Sequence, residues 1–309
     1  GPYCRAVIDG YANELSYAPG ALAEVCVSTD AASFGVTVER GGAERVAVWA
    51  RSDVPGALQD LPSDADAGGC GWSPSVHIPT DGWRSGFYLV TLTAGDDVGH
   101  AGFVVRGDGT HATLLVLATN TWNAYNVWGG CSLYTGGKQV AFRRPWAAGT
   151  LVRPETERDD RKSRPVYTGE HPDADGEIYE AYRTAHGYPG AMGSAGWFTH
   201  ERRFVEWAER AGSAFDYAVS GDLGALDLTR YRAVLGVGHD EYWSAEGRDA
   251  IEAFVAGGGN FLSLSGNTMF WQVRVEPAAR GGTTMVCHKY SAATTDPIVG
   301  SDPERMTGM

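Results

Sequence analysis

The stretch that most constrains this chain runs from Ala233 to Leu264. Val234, Leu235 and Val237 form a short apolar run that halts at Gly238, and His239, Asp240 and Glu241 follow at once. Continuous apolar runs of this length suit a parallel strand covered on both faces. Ser244 is placed to cap a helix whose buried stripe is Ala250, Ile251, Phe254 and Val255. A Gly-rich turn then leads into a second buried strand over 261–264. Strand, helix and strand in alternation predict a parallel sheet flanked by helices, with its ligand crevice at the carboxyl ends of the strands. His239 and Glu241 fall at such an end, so the chemistry is expected there.

Upstream, residues 8–106 read as all-β. Ala23, Val25 and Val27 alternate with other residues, as do Phe34, Val36 and Val38, and apolar runs recur near 46–48, 87–92 and 102–106. Short strands punctuated by Pro-Gly, Gly-Gly and Asp-Gly turns predict a β-sandwich of immunoglobulin-like type. The Gly- and Cys-rich insert at 63–72 is expected to be a surface loop. Gly107-Asp-Gly-Thr110 marks a boundary, giving an accessory β-sandwich domain over 1–107 and an α/β catalytic domain over 108–309. The latter reads as incomplete at its C-terminus, because residues 291–309 offer no closing element.

Within the second domain, Leu114-Leu-Val-Leu117 is a further buried strand, ending in a polar-aromatic loop from Thr119 to Tyr134. Residues 143–196, rich in Arg, Asp, Pro and Gly, form a long excursion, and such loops are commonly functional. A helical pattern over 197–210 and a strand over 215–219 follow. The strand at 261–264 ends in a third polar-aromatic tip, Ser265 to Trp271. The Asp159-Asp-Arg-Lys162 cluster reads as a solvated face, and His171, His186 and His200 lack ligand-like spacing.

A net charge of −13 argues against nucleic acid as a partner, since phosphate binding needs clustered Lys and Arg. No apolar run is long enough to form a membrane-spanning helix. The five cysteines (Cys4, Cys26, Cys70, Cys131, Cys287) contain no CxxC pair, and no basic-then-apolar leader precedes Tyr3. These features predict a cytoplasmic protein with free thiols, one bridge through Cys4 or Cys70 being left open.

Four segments in order, Thr121-Trp-Asn-Ala-Tyr125, Ser132-Leu-Tyr134, His239-Asp-Glu-Tyr-Trp243 and Gly266-Asn-Thr-Met-Phe-Trp271, resemble the large (beta) subunit family of N,N-dimethylformamidase. The likeness covers roughly residues 113–271. Asp240 replaces a Pro usual between the His and the Glu, and Thr135-Gly-Gly-Lys138 stands where a His-x-Asp-Gly segment is expected. The resemblance implies a glutamine-amidotransferase-like α/β core and a mononuclear Fe(III) site. Its ligands would be Tyr125, Tyr134 and Glu241, with His239 close by, and a second subunit or homo-oligomer is implied as partner.

Phenolate and carboxylate are hard oxygen donors suited to a small, highly charged cation. Three protein ligands leave positions open for water and a small amide substrate. His239 is expected to act as base, Asn267 and Asn123 to hydrogen-bond the amide, and Trp122, Trp128, Trp243 and Phe270 to wall the substrate pocket. The function expected is hydrolysis of a small N-substituted amide to acid plus amine. Alternatives stay open: satisfied buried tyrosines, a helix-capping His239, and Glu241 as a first-turn acid. These would suit a metal-free carbohydrate-binding or regulatory module, or a non-catalytic subunit of a larger assembly.

Overall fold

The computed structural model describes residues 8–154 and 174–308, so Cys4, the Asp159–Lys162 cluster and His171 lie outside the described residues. Two sheets build the first half. One contains β1 (Ile8–Ala12), β3 (Leu22–Thr29) and β6 (Pro74–Pro79) in the order β1-β3-β6. The other contains β2 (Ser16–Tyr17), β4 (Ser33–Arg40), β5 (Val46–Pro55), β7 (Gly86–Ala94) and β8 (Asp97–Val105) in the order β2-β8-β7-β4-β5. The two share an apolar core that includes Ile8, Val25, Val27, Val36, Val38, Ile78, Val90 and Phe103.

The five-stranded sheet is buried on its other face as well. Phe87, Leu89 and Val104 join Leu115, Leu117, Trp122, Trp197 and Val205 in a second core. This explains why β7 reads as a continuous apolar run rather than an alternating one. Strands end at Val105 and restart at Thr113, but an apolar interface joins the halves, reinforced by Arg40–Glu209 at 2.8 Å and Arg106–Asp222 at 3.1 Å.

The insert at 63–72 departs from expectation. It holds a short helix, α1 (Ala65–Gly68), and Ala65, Cys70 and Trp72 are all buried. Trp72 stacks edge-on to Trp128 at 5.9 Å, and the Cys70 N–H donates to the Arg143 carbonyl at 3.0 Å. The segment is a wedge between the halves, not a free loop.

In the second half, β9 (Thr113–Leu117), β11 (Asp216–Val219), β12 (Ala233–His239) and β14 (Asn260–Gly266) make an all-parallel sheet in the order β11-β9-β12-β14. A mixed sheet, β10-β16-β15-β13, stands beside it, built from β10 (Gln139–Ala141), β13 (Tyr242–Ser244), β15 (Trp271–Pro277) and β16 (Thr283–Val286). The helices are α2 (Thr119–Tyr125), α3 (Ala174–Ala185), α4 (Glu201–Arg210), α5 (Ala245–Ala256) and α6 (Ala292–Thr295). Ser244 caps α5 by accepting from the Gly247 N–H at 3.1 Å, and Ile251 and Phe254 are buried, while Val255 is exposed.

Two further expectations change. The strand over 261–264 is the edge of the parallel sheet, so Leu262 and Leu264 are exposed instead of buried. The stretch after Leu117 begins as a helix whose seven residues are all buried. Residues 288–308 pack back on β15, where Gly308 bridges Gln272 and Asp296 meets Arg274 at 2.6 Å in a buried ion pair.

Candidate functional site

The chain switches sheets at residues 240–241. β12 ends at His239 in the parallel sheet and β13 begins at Tyr242 in the mixed one, leaving Asp240 and Glu241 in the link. Helix α2 fixes this link. Thr121 and Tyr125 are four residues apart and share one face of the helix. Thr121 Oγ1 accepts the backbone N–H groups of Glu241 (2.9 Å) and Tyr242 (3.3 Å). One turn on, the Tyr125 hydroxyl stands 3.2 Å from Glu241 Oε2.

Tyr134 reaches the same place from the loop after α2. Its ring stacks on that of Tyr125 with centroids 4.1 Å apart. Its hydroxyl lies 2.7 Å from the Tyr125 hydroxyl and donates to Glu241 Oε2 at 2.7 Å. Two phenol oxygens and one carboxylate oxygen therefore form a tight triangle. His239 Nε2 approaches Glu241 Oε2 at 3.1 Å, and the indole N–H of Trp271 donates to Oε1 at 2.8 Å.

Electrostatics follow from this geometry. Burial opposes charge on Glu241, but hydrogen bonds from His239, Tyr134 and Trp271 outweigh it and hold the carboxyl below its ordinary range. Burial also opposes charge on His239, yet Glu241 and the Ser194 carbonyl raise its affinity for a proton. Tyr134 is pushed far upward by burial and by the neighbouring phenols Tyr242 and Tyr125, so a strong cation is needed to ionise it. The His239 tautomer is legible from its partners. Nδ1 lies 2.7 Å from the Ser194 carbonyl, which can only accept, so Nδ1 keeps its hydrogen in either protonation state and Nε2, beside Glu241, is the atom that gains or loses a proton.

The remaining expected site residues divide. Asn267, with φ 54°, sits in the left-handed region and points Nδ2 to within 3.4 Å of His239 Nε2. Phe270 is exposed and packs edge-on to Trp271 at 4.9 Å. Trp122 is buried, donates to Glu201 Oε1 at 2.9 Å, and lines a narrow recess together with Tyr125. Asn123 is not available to a substrate: Nδ2 donates to the Val140 carbonyl (3.1 Å) and Oδ1 accepts from Arg144 (3.2 Å). Trp243 donates to the Asp240 carbonyl at 3.0 Å and packs in a separate core with Phe261 and Ile251. Trp128 lines a broad cleft beside Trp146 and Tyr188.

Sequence reading missed three contributors. Trp271 lay inside a quoted motif without a role. The buried guanidinium of Arg144 donates to the carbonyls of Ala141 (2.9 Å), Trp128 (2.5 Å) and Asn126 (3.1 Å), which fixes the segment between the two tyrosines. Lys289 places its ammonium 3.3 Å above the Tyr134 ring centroid. Trp271 opens β15 and Lys289 follows β16, and neither position shows in the sequence which carboxylate or ring it meets. No group of three His, Cys, Asp or Glu residues suited to a metal occurs among the described residues; the triangle here is two Tyr and one Glu.

Comparison with known proteins shows the family. The sequence model of the N,N-dimethylformamidase beta subunit-like family, C-terminal part, matches residues 35–309. The chain belongs to that family. Among curated members of the N,N-dimethylformamidase beta subunit group, the Paracoccus aminophilus protein is 29% identical over 221 residues, and that of Alcaligenes sp is 27% identical over 228. Each match covers 67% of this chain and 29% of the relative, so this chain spans under a third of the length of the N,N-dimethylformamidase beta subunits it matches.

Proposed function

We propose that this chain carries the iron site of an amidohydrolase that cleaves a small N-substituted amide into acid and amine. One observation carries the reading: the hydroxyls of Tyr125 and Tyr134 and Glu241 Oε2 lie 2.7–3.2 Å from one another. Hard cations held at roughly 2.0–2.1 Å put neighbouring oxygen ligands roughly 2.8–3.0 Å apart. The triangle therefore fits one small cation with little rearrangement once the phenol protons leave. Its all-oxygen, potentially trianionic donor set suits Fe(III) better than a soft metal. Tyr125, Tyr134 and Glu241 would hold it, and the bound ion would polarise the amide carbonyl and acidify water.

The chain's own residues supply the rest. Ser194 fixes the His239 tautomer so that Nε2 takes the proton of a water as its oxygen attacks the carbonyl carbon. The same Nε2–H then protonates the departing amine nitrogen as the C–N bond breaks. Asn267 Nδ2, beside His239, would donate to the carbonyl oxygen as it gains charge. Trp271 orients Glu241 by holding its second oxygen, a common arrangement behind metal ligands. Phe270 offers an apolar contact for an N-alkyl group. We also read the parallel-sheet half as amidotransferase-like, a reading supported by strand tips that carry the site, and we infer a multi-subunit assembly from the relatives' description as beta subunits.

The test is metal analysis, a visible spectrum and amide turnover on purified protein. The proposal expects about one iron per chain and a tyrosinate-to-iron charge-transfer colour, both lost in Glu241→Ala. Colourless, iron-free protein that still hydrolyses the amide would refute it.

A further inference from the structure

Lys289 is unusual on three counts. Its Nζ stands 3.3 Å from the Tyr134 ring centroid, 5.6 Å from that of Tyr242 and 5.7 Å from that of Trp271. Among the described residues, no carboxylate forms an ion pair with it. Its backbone has φ 51°, in the left-handed region that disfavours any residue with a Cβ. A lysine that only needed solvent would leave this half-buried place, since its long stem ordinarily carries the charge to water.

The surrounding fold holds it there. The His288 N–H donates to Thr307 Oγ1 at 3.0 Å, and Thr307 is tied to Asp296 Oδ2 through its N–H (2.8 Å) and hydroxyl (2.7 Å). Asp296 in turn pairs with Arg274 on β15. Gly308 passes so close that a Cβ there would come within 2.2 Å of the Lys289 carbonyl oxygen. The whole 288–308 segment thus braces one turn whose outcome is an ammonium on the face of a phenol ring.

We propose that Lys289 is a positioning residue that seats its cation on the face of the Tyr134 ring and so tunes the energy of that ring's electrons. This rests on the reading of Tyr134 as an iron ligand. The face of an aromatic ring attracts a cation, and the attraction strengthens when the ring gains negative charge and water is excluded. The ammonium lies against the ring, which is the electron donor in a tyrosinate-to-iron transition, and so it lowers the donor level and raises the transition energy. Its removal should shift the visible band to longer wavelength.

The experiment compares iron-loaded wild type with Lys289→Met and Lys289→Arg. Methionine keeps length and flexibility without charge; arginine keeps the charge. The band should move to longer wavelength in Lys289→Met, by on the order of tens of nanometres, and stay close to the wild-type position in Lys289→Arg. A merely structural lysine would alter iron content or stability without moving the band. A second measurement needs no metal: in metal-free wild type, one lysine CεH2 resonance should lie upfield of all others through the Tyr134 ring current, and be absent from Lys289→Met. A band unmoved in the Met variant, or no displaced lysine resonance, overturns the proposal. Iron-free, colourless wild type would instead defeat the iron reading, with the lysine resonance still deciding where the cation sits.

Discussion

Replacing Trp271 with Phe would remove a single hydrogen-bond donor from the candidate site. The indole N–H is 2.8 Å from Glu241 Oε1, both side chains are buried, and among the described residues no other donor reaches that oxygen. A hydrogen bond to a charged group contributes about 1.5–3 kcal/mol. At about 1.4 kcal/mol per decade this corresponds to roughly 10- to 150-fold in an equilibrium constant. Loss of a partner behind a metal ligand ordinarily weakens metal binding about 10- to 100-fold, so the two routes agree. The assay is chelator competition on iron-loaded protein, with thermal melting alongside to register the lost indole volume. Trp197→Phe makes a similar change at a buried tryptophan stacked on Phe87 and serves as control. Iron should leave Trp271→Phe at a much lower chelator concentration than either wild type or control. A Trp271→Phe midpoint within about twofold of wild type would refute the idea that this indole orients a ligand.

Further outcomes are expected. His239→Ala should keep iron yet slow amide hydrolysis about 100-fold or more, because the proton-accepting Nε2 is gone while the oxygen triangle remains; iron loss in that variant would contradict the assignment. Glu201 is buried beneath Trp122, and burial pushes its carboxyl up to about 8. Between the unfolded value of 4.5 and about 8 the folded chain binds a proton that the unfolded chain lacks, so this group makes stability fall as pH rises through that window. The Tm advantage of Glu201→Gln over wild type should therefore grow from pH 5 to pH 9, and an equal advantage at both would contradict this account. Arg274→Ala strands the buried Asp296 carboxylate, which Arg274 and Thr307 hold well below its usual range against the opposing effect of burial. Breaking such a pair costs about 3–5 kcal/mol in chemical denaturation, and a loss under about 1 kcal/mol would show that the pair does not staple the 288–308 segment.

What was legible in the sequence was local. The apolar run before Gly238, the Ser244 cap and the alternations of β3 and β4 each depend on neighbours within a few residues, and each element forms. The first turns after Leu117 were not legible as helix. Thr, Asn, Trp and Tyr are mediocre helix formers, and α2 exists because all seven of its residues are buried by the surrounding fold. Burial of the 63–72 wedge likewise depends on Trp128, more than fifty positions downstream. The edge position of β14 is a property of strand order, which its apolar run does not encode.

The same division holds within the site. Tyr125, Tyr134, His239 and Glu241 could be named from motifs, whereas the uses of Asn123 and Trp243 could not. Asn123 sits beside Tyr125 in sequence but faces Arg144 and the Val140 carbonyl, away from the oxygen triangle. Trp243 follows Glu241 by two residues, yet its ring enters the core beneath α5. Residues that support the site from a distance, Trp271 and Lys289, come from β15 and the turn after β16 and meet Glu241 and Tyr134 only in the folded chain.

Anomalous X-ray scattering from crystals of the iron-loaded protein, recorded on both sides of the iron absorption edge, tests the central claim most directly. The account predicts one edge-dependent peak shared by the hydroxyls of Tyr125 and Tyr134 and by Glu241 Oε2. A peak held by other residues, or iron-loaded crystals with no peak among those three oxygens, would contradict it.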